Sequence, residues 1–94
     1  MEINVYHHRD KSRFYAIVKG QEAFIKYSRP DTGTLEIQST FIPRDLRGQG
    51  IAQKMAEFAC SYAQNRQLKV KPTCPYFAQF IENDPASFQK VTVA

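Results

Sequence analysis

At Pro43 the hydrophobic period of this chain changes. Before it, apolar residues come in short alternating runs. From Ile51 onward they recur at helical spacing, and Arg44-Asp45-Leu46-Arg47-Gly48-Gln49-Gly50 makes the changeover. A strand that turns through glycines into a helix directs several backbone N–H groups at one point, and the helix dipole adds positive potential there. Such a junction suits a phosphate or pyrophosphate. Taken alone, Gly48-Gln49-Gly50 reads as a helix start after a tight turn. The preceding strand, the length of the helix and the nearby Arg44 and Arg47 favour the anion-binding reading.

The strand signals are residues 3–6, 14–19, 22–27 and 35–42, separated by the polar stretch 7–13, by Gly20-Gln21 and by the turn-rich Ser28-Arg29-Pro30-Asp31-Thr32-Gly33. Short links between alternating runs predict an antiparallel meander. Ile51, Met55, Phe58, Ala59 and Tyr62 then share one face of a helix expected over residues 48–65. Residues 68–70 form a short strand stopped by Pro72. A crossover of this length places that strand parallel to the fourth. Pro75 suits the first position of a second helix, capped by Cys74 or Thr73, with Phe77, Phe80 and Ile81 on its apolar face. Asp84-Pro85 repeats the signal for a short C-terminal helix carrying Phe88 and Val91. The fold class is α+β: an antiparallel meander followed by β-α-β-α, in one domain over residues 1–94.

A chain of 94 residues with 43% hydrophobic and 23% charged residues has the composition of one globular core. No apolar run approaches the roughly 20 residues of a membrane span, and Glu2, Asn4, His7 and His8 interrupt any signal-peptide core. Cys60 and Cys74 form neither a disulfide framework nor a metal pair. A cytoplasmic location is therefore expected. The net charge of +4 favours an anionic partner without choosing among nucleic acid, a phosphorylated cofactor and an acidic substrate.

Several alternatives fail on particular residues. A dinucleotide fingerprint needs a third glycine where Gln53 stands, and a Walker loop needs Gly-Lys-Ser/Thr. Adjacent His7 and His8 point to opposite faces of a strand, so they do not chelate one metal ion. Ala23-Phe24-Ile25-Lys26-Tyr27 matches half of an RNP1 pattern, but Lys19-Gly20 lies one residue too far upstream. An RNA-recognition motif also needs a helix between its first two strands, and residues 7–13 are too short and polar to supply one. Nucleic acid is accordingly not an expected partner.

The run Asp45-Leu46-Arg47-Gly48-Gln49-Gly50 resembles the acetyl-CoA motif Gln/Arg-x-x-Gly-x-Gly/Ala of GCN5-related N-acetyltransferases, with Asp45 at the position of Gln or Arg. Thr40-Phe41-Ile42-Pro43, the glycine loop through Ile51-Ala52, and Val70-Lys71-Pro72-Thr73-Cys74-Pro75-Tyr76 are similar to a subgroup of very small members, the YjdJ type. The resemblance covers most of the chain. Ser39 stands where the subgroup commonly has a histidine. The helices that shape the acceptor pocket in full-size members have no room here.

The resemblance implies a minimal acetyltransferase fold with a CoA cleft between diverging fourth and fifth strands. Acetyl-CoA would lie along Thr40, Phe41 and Ile42, with its pyrophosphate on the amides of Arg47, Gly48, Gln49, Gly50, Ile51 and Ala52. The acceptor would be an amine. Cys74, at a helix start that favours a thiolate, would act as base or transient acyl carrier. Its other reading is a small buried hydrophobe. Tyr76 would reprotonate the leaving CoA thiolate, or would be an amphipathic aromatic at a helix start. Glu36 reads as a solvent-face residue rather than a base, and Cys60 as core. A non-catalytic CoA-binding module is the alternative function.

Overall fold

The computed structural model describes residues 3–83. The expected C-terminal helix at Asp84-Pro85 lies outside the described residues. One sheet carries five strands in sequence order: β1 (Tyr6–His8), β2 (Arg13–Val18), β3 (Gln21–Ser28), β4 (Thr34–Phe41) and β5 (Lys69–Pro72). The first three pairings are antiparallel and β4–β5 is parallel. The crossover helix α1 (Ile51–Asn65) joins β4 to β5, and α2 (Pro75–Asn83) follows.

The first strand is displaced from its expected position. His7 and His8 pair with Phe14 and Arg13, and the chain reverses in a 3-10 turn over Arg9–Lys11. A polar pair fits a strand here because each imidazole has an aromatic neighbour. His7 stacks on Phe14 at 4.6 Å on the core side, and His8 meets Tyr15 at 6.4 Å on the other side.

Helix α1 starts at Ile51, later than expected, because Gly48 and Gly50 take φ of +78° and +80°. Those angles are closed to a right-handed helix and easy only for glycine. The helix ends with Gln67 at φ +58°, its N–H donating to the Gln64 carbonyl, while the Leu68 N–H donates to the Ala63 carbonyl at 2.7 Å. This paired closure aims the chain back along the sheet. Strand β5 then runs to Pro72, further than the expected residue 70. Proline is tolerated there because it ends an edge strand.

Both helices lie on one face. Phe14, Ile25, Leu35, Ile37 and Val70 from the sheet are fully buried with Ile51 and Met55 of α1 and Phe77 of α2. The opposite face, bearing Tyr15, Ile17, Phe24 and Lys26, has no helix over it among the described residues.

Strand β4 carries an irregularity that changes which of its side chains face the core. Tyr27 pairs with Ile37 but Lys26 pairs with Ser39, so Gln38 is an extra residue. A bulge of this kind bends its strand and re-aims the side chains beyond it. Leu35 and Ile37 face the core before it, and Thr40 does so after it, opposite Ile25. The β4–β5 ladder stops at the same level, with Ile37 opposite Pro72.

Candidate functional site

The two parallel strands separate beyond Ile37 and Pro72. The Cys74 N–H makes one more bond to the Ile37 carbonyl at 2.9 Å, and the chain then turns into α2, where the Ala78 N–H donates to the Cys74 carbonyl. Cys74 is thus the residue that caps the helix and Pro75 its first position. β4 continues alone to Phe41. The space between holds a cleft of about 440 Å³ lined by Thr40, Phe41 and Ile42, by Leu46, Arg47, Gly48, Gly50, Ile51, Ala52 and Gln53, and by Tyr76. That volume lies in the roughly 300–1,000 Å³ range of small-molecule sites.

The loop beneath the cleft is built from the inside outward. Leu46 is 1% exposed and anchors the 3-10 turn Arg44–Leu46 in the core. Arg47 donates from Nε to the Ile42 carbonyl at 3.0 Å, which closes the loop and holds a guanidinium at the cleft wall. Gly50 caps α1 in a left-handed conformation and offers no side chain to the first-turn amides, and that turn carries no acidic residue. The N–H groups of Ile51, Ala52 and Gln53 have no intrahelical acceptor. They converge with the helix dipole on the cleft, where an anion gains roughly 0.3–2 kcal/mol.

Of the site residues expected from the sequence, Thr40, Phe41, Ile42, Arg47, Gly48, Gly50, Ile51, Ala52 and Tyr76 meet around this cleft. Gln49 faces away, its amide donating to the Asp45 carbonyl at 3.1 Å. Leu46 and Gln53 also line the cleft, and the sequence motifs do not single them out. Their signals are weak ones: a lone apolar residue in a basic loop, and the third position of the helix, whose amide points the same way as the two before it.

Cys74 does not reach the cleft surface. It is 5% exposed, and its Sγ donates to Thr40 Oγ1 at 3.6 Å. Thr40 lines the cleft and Cys74 does not. Tyr76 is 48% exposed, two residues further along the chain. Cys60 is a core residue: burial pushes its thiol up to about 12.

Glu36 accepts from the Thr73 hydroxyl and from the Ser28 hydroxyl at 3.2 Å. The Thr73 bond first, then the Ser28 bond, hold its carboxyl below the ordinary range, which suits it poorly for taking a proton at neutral pH. No cluster of three or more His, Cys, Asp or Glu able to hold a metal occurs among the described residues, and no described helix is long and apolar enough to cross a membrane.

The fold and the sequence are shared with known proteins. The family described as GCN5-related N-acetyl-transferase matches residues 13–91. Protein NATD1 of Xenopus tropicalis is 29% identical over 85 residues, covering 88% of this chain and 78% of that protein. Protein NATD1 of Homo sapiens is 28% identical over the same length, covering 75% of its own chain. The solution structure of a GCN5-like protein from Staphylococcus aureus superimposes with a TM-score of 0.70 at 22% identity, over 97% of this chain and 88% of that one.

Proposed function

This chain belongs to the GCN5-related N-acetyl-transferase family, and we propose that it binds acetyl-CoA in the cleft beyond Ile37 and transfers the acetyl group to an amine. The observation that carries the proposal is the convergence of the uncapped first turn of α1, the glycines at φ +78° and +80° and Arg47 on one wall of a cleft whose other wall is the end of β4. The pyrophosphate sits on the amides of residues 50–53. The pantetheine arm runs along Thr40, Phe41 and Ile42.

Acetyl-CoA would supply an activated acyl carbon, on which the bond formed by a neutral amine would replace the C–S bond. Tyr76, on the rim of the cleft, would give its phenolic proton to the departing CoA sulfur and regain one, through solvent, from the amine nitrogen. The thiol of Cys74 is buried against Thr40 and does not line the cleft. Direct transfer is therefore favoured over an acyl-cysteine, with Cys74 acting as a positioning residue for Thr40.

A second reading, a CoA-binding module without turnover, is favoured by one observation: among the described residues, no carboxylate or imidazole lines the cleft to take the ammonium proton. Titration of the labelled protein with acetyl-CoA tests the binding shared by both readings. Saturable amide shifts at residues 40–42 and 47–53 are expected, and their absence would sink both. Release of CoA in the presence of a primary amine then separates them.

A further inference from the structure

The sheet face opposite the helices is organised by register. Tyr6 pairs with Tyr15, Tyr15 with Phe24, and Phe24 with Phe41, so four aromatic side chains stand side by side on four adjacent strands. Tyr6 and Tyr15 have ring centroids 5.5 Å apart, and Phe24 and Phe41 5.4 Å. The two ends of the row are open, Tyr6 at 49% and Phe41 at 45% exposure. Two residues along each strand, on the same face, runs a second row: His8 pairs with Arg13, Arg13 with Lys26, and Lys26 with Ser39. Strand geometry sets the two rows about 7 Å apart and makes each about 14 Å long.

Arg13 links the rows. Its guanidinium lies 4.3 Å over the Phe24 ring, and its buried Nε has no acceptor among the described residues. Glu22 and Glu36, the acidic side chains on this face among the described residues, are both engaged. Glu22 accepts from Arg13 at 3.0 Å, and Glu36 accepts from Ser28 and Thr73. The cations of the second row are Arg13, which is paired with Glu22, and Lys26, while His8 and Ser39 add hydrogen-bonding groups at its two ends.

We propose that this face binds single-stranded nucleic acid, with bases stacked on the row of Tyr6, Tyr15, Phe24 and Phe41 and phosphates along His8, Arg13, Lys26 and Ser39. A row of rings beside a row of polar side chains that includes Arg13 and Lys26 matches a strand whose bases and phosphates lie on opposite sides of its sugars. A length of about 14 Å takes two or three nucleotides, as on other four-stranded sheets that stack bases. A second copy of this chain would use the rings but would leave the Arg13 Nε without an acceptor of the kind a phosphate offers. An acidic peptide would use the cations but has no use for four consecutive rings. The row meets the cleft at its β4 end, where Phe41 belongs to both, and its other three rings stand on β1, β2 and β3, away from the cleft. The proposal departs from the expectation that nucleic acid is not a partner, and it does not rest on the partial RNP1 match. Tyr27 of that match is a core residue at 6% exposure, and the aromatic platform comes instead from three other strands and Phe24.

The test is an anisotropy titration with fluorescein-labelled single-stranded oligouridylate, its deoxy counterpart and an RNA duplex of equal length, followed by amide spectra. Both single strands are expected to bind more tightly than the duplex, with shifts on the open face of β1–β4. Two phosphate contacts give a log–log salt slope of about −1.4. Tyr6→Ala should weaken binding by about fivefold or more through the lost stack. Lys26→Ser, at an exposed position, should make the slope shallower by about 0.7. Both variants should leave the acetyl-CoA titration unchanged. The proposal is overturned by no binding at low salt, by equal affinity for duplex with no effect of Tyr6→Ala, by equal binding of polyglutamate at the same residues, or by a concentration-dependent dimer that accounts for the shifts.

Discussion

The Cys74 thiol and the Thr40 hydroxyl meet at 3.6 Å across the point where β4 and β5 separate. The contact ties the entrance of α2 to the wall of the cleft. It also fixes what each residue can do: Thr40 faces the cleft, and Cys74 supports it from behind.

Replacing Cys74 with alanine therefore separates a supporting role from a chemical one. Cys74→Ala is expected to cost about 1 kcal/mol of stability, as small core truncations do, and to change turnover only a few-fold. A transient acyl carrier would instead lose turnover altogether. Urea melts and single-turnover CoA release on the same preparation distinguish the two.

Tyr76→Phe removes only the phenolic hydroxyl from a half-exposed ring. Its melting temperature and its affinity for acetyl-CoA should match those of the parent, while the rate of CoA release falls by about 100-fold or more, the usual worth of a positioned acid. An unchanged rate would leave the thiolate to be protonated by water.

Gly50 and Gly20 form a matched pair. Both have positive φ, +80° and +77°, and open space where a Cβ would stand. Alanine at either should cost about 1–2 kcal/mol through backbone conformation alone. Only Gly50→Ala should also raise the Kd for acetyl-CoA, by about tenfold or more, since shifting the cap redirects the first-turn amides. Equal effects of the two variants on Kd would remove the loop from the binding site.

His7 sets a pH response remote from the cleft. It is hydrogen-bonded to the Tyr27 hydroxyl and packed against Phe14 and Tyr62. Desolvation, then the charges of Arg9, Arg66 and His8, hold its pKa below 6.5. The unfolded chain thus takes up a proton that the folded chain resists. This contribution to stability is present above 6.5 and is lost as pH falls from there through the lowered folded pKa. Urea midpoints should drop between about pH 7.5 and pH 5.5 in the parent and drop less in His7→Phe. Glu36 and Asp31, whose carboxyls are held below their ordinary values, act only at lower pH.

Much of the fold is legible in the sequence because its signals are local. Alternation marks β2, β3 and β4, the change of period marks α1, and Pro75 marks the start of α2. The first strand lies further along the chain than its alternation suggests, because His7 and His8 carry no strand signal of their own. Only the rings of Phe14 and Tyr15 on the neighbouring strand make the pair acceptable there. The start of α1 is set later than its pattern implies because glycine permits a helix without showing which side of φ it will take.

The sequence by itself determined the order of the elements, the family and the position of the glycine loop, since periodicity and turn chemistry act within a few residues. Tertiary structure decided where chemistry can occur. The extra residue at Gln38 shifts the register so that Thr40 rather than Ser39 stands on the core side of β4, and cross-strand pairing alone gathers Tyr6, Tyr15, Phe24 and Phe41 into one row. Both depend on which residues stand opposite each other between distant parts of the chain. A single bulge changes that pairing without leaving a mark in local pattern.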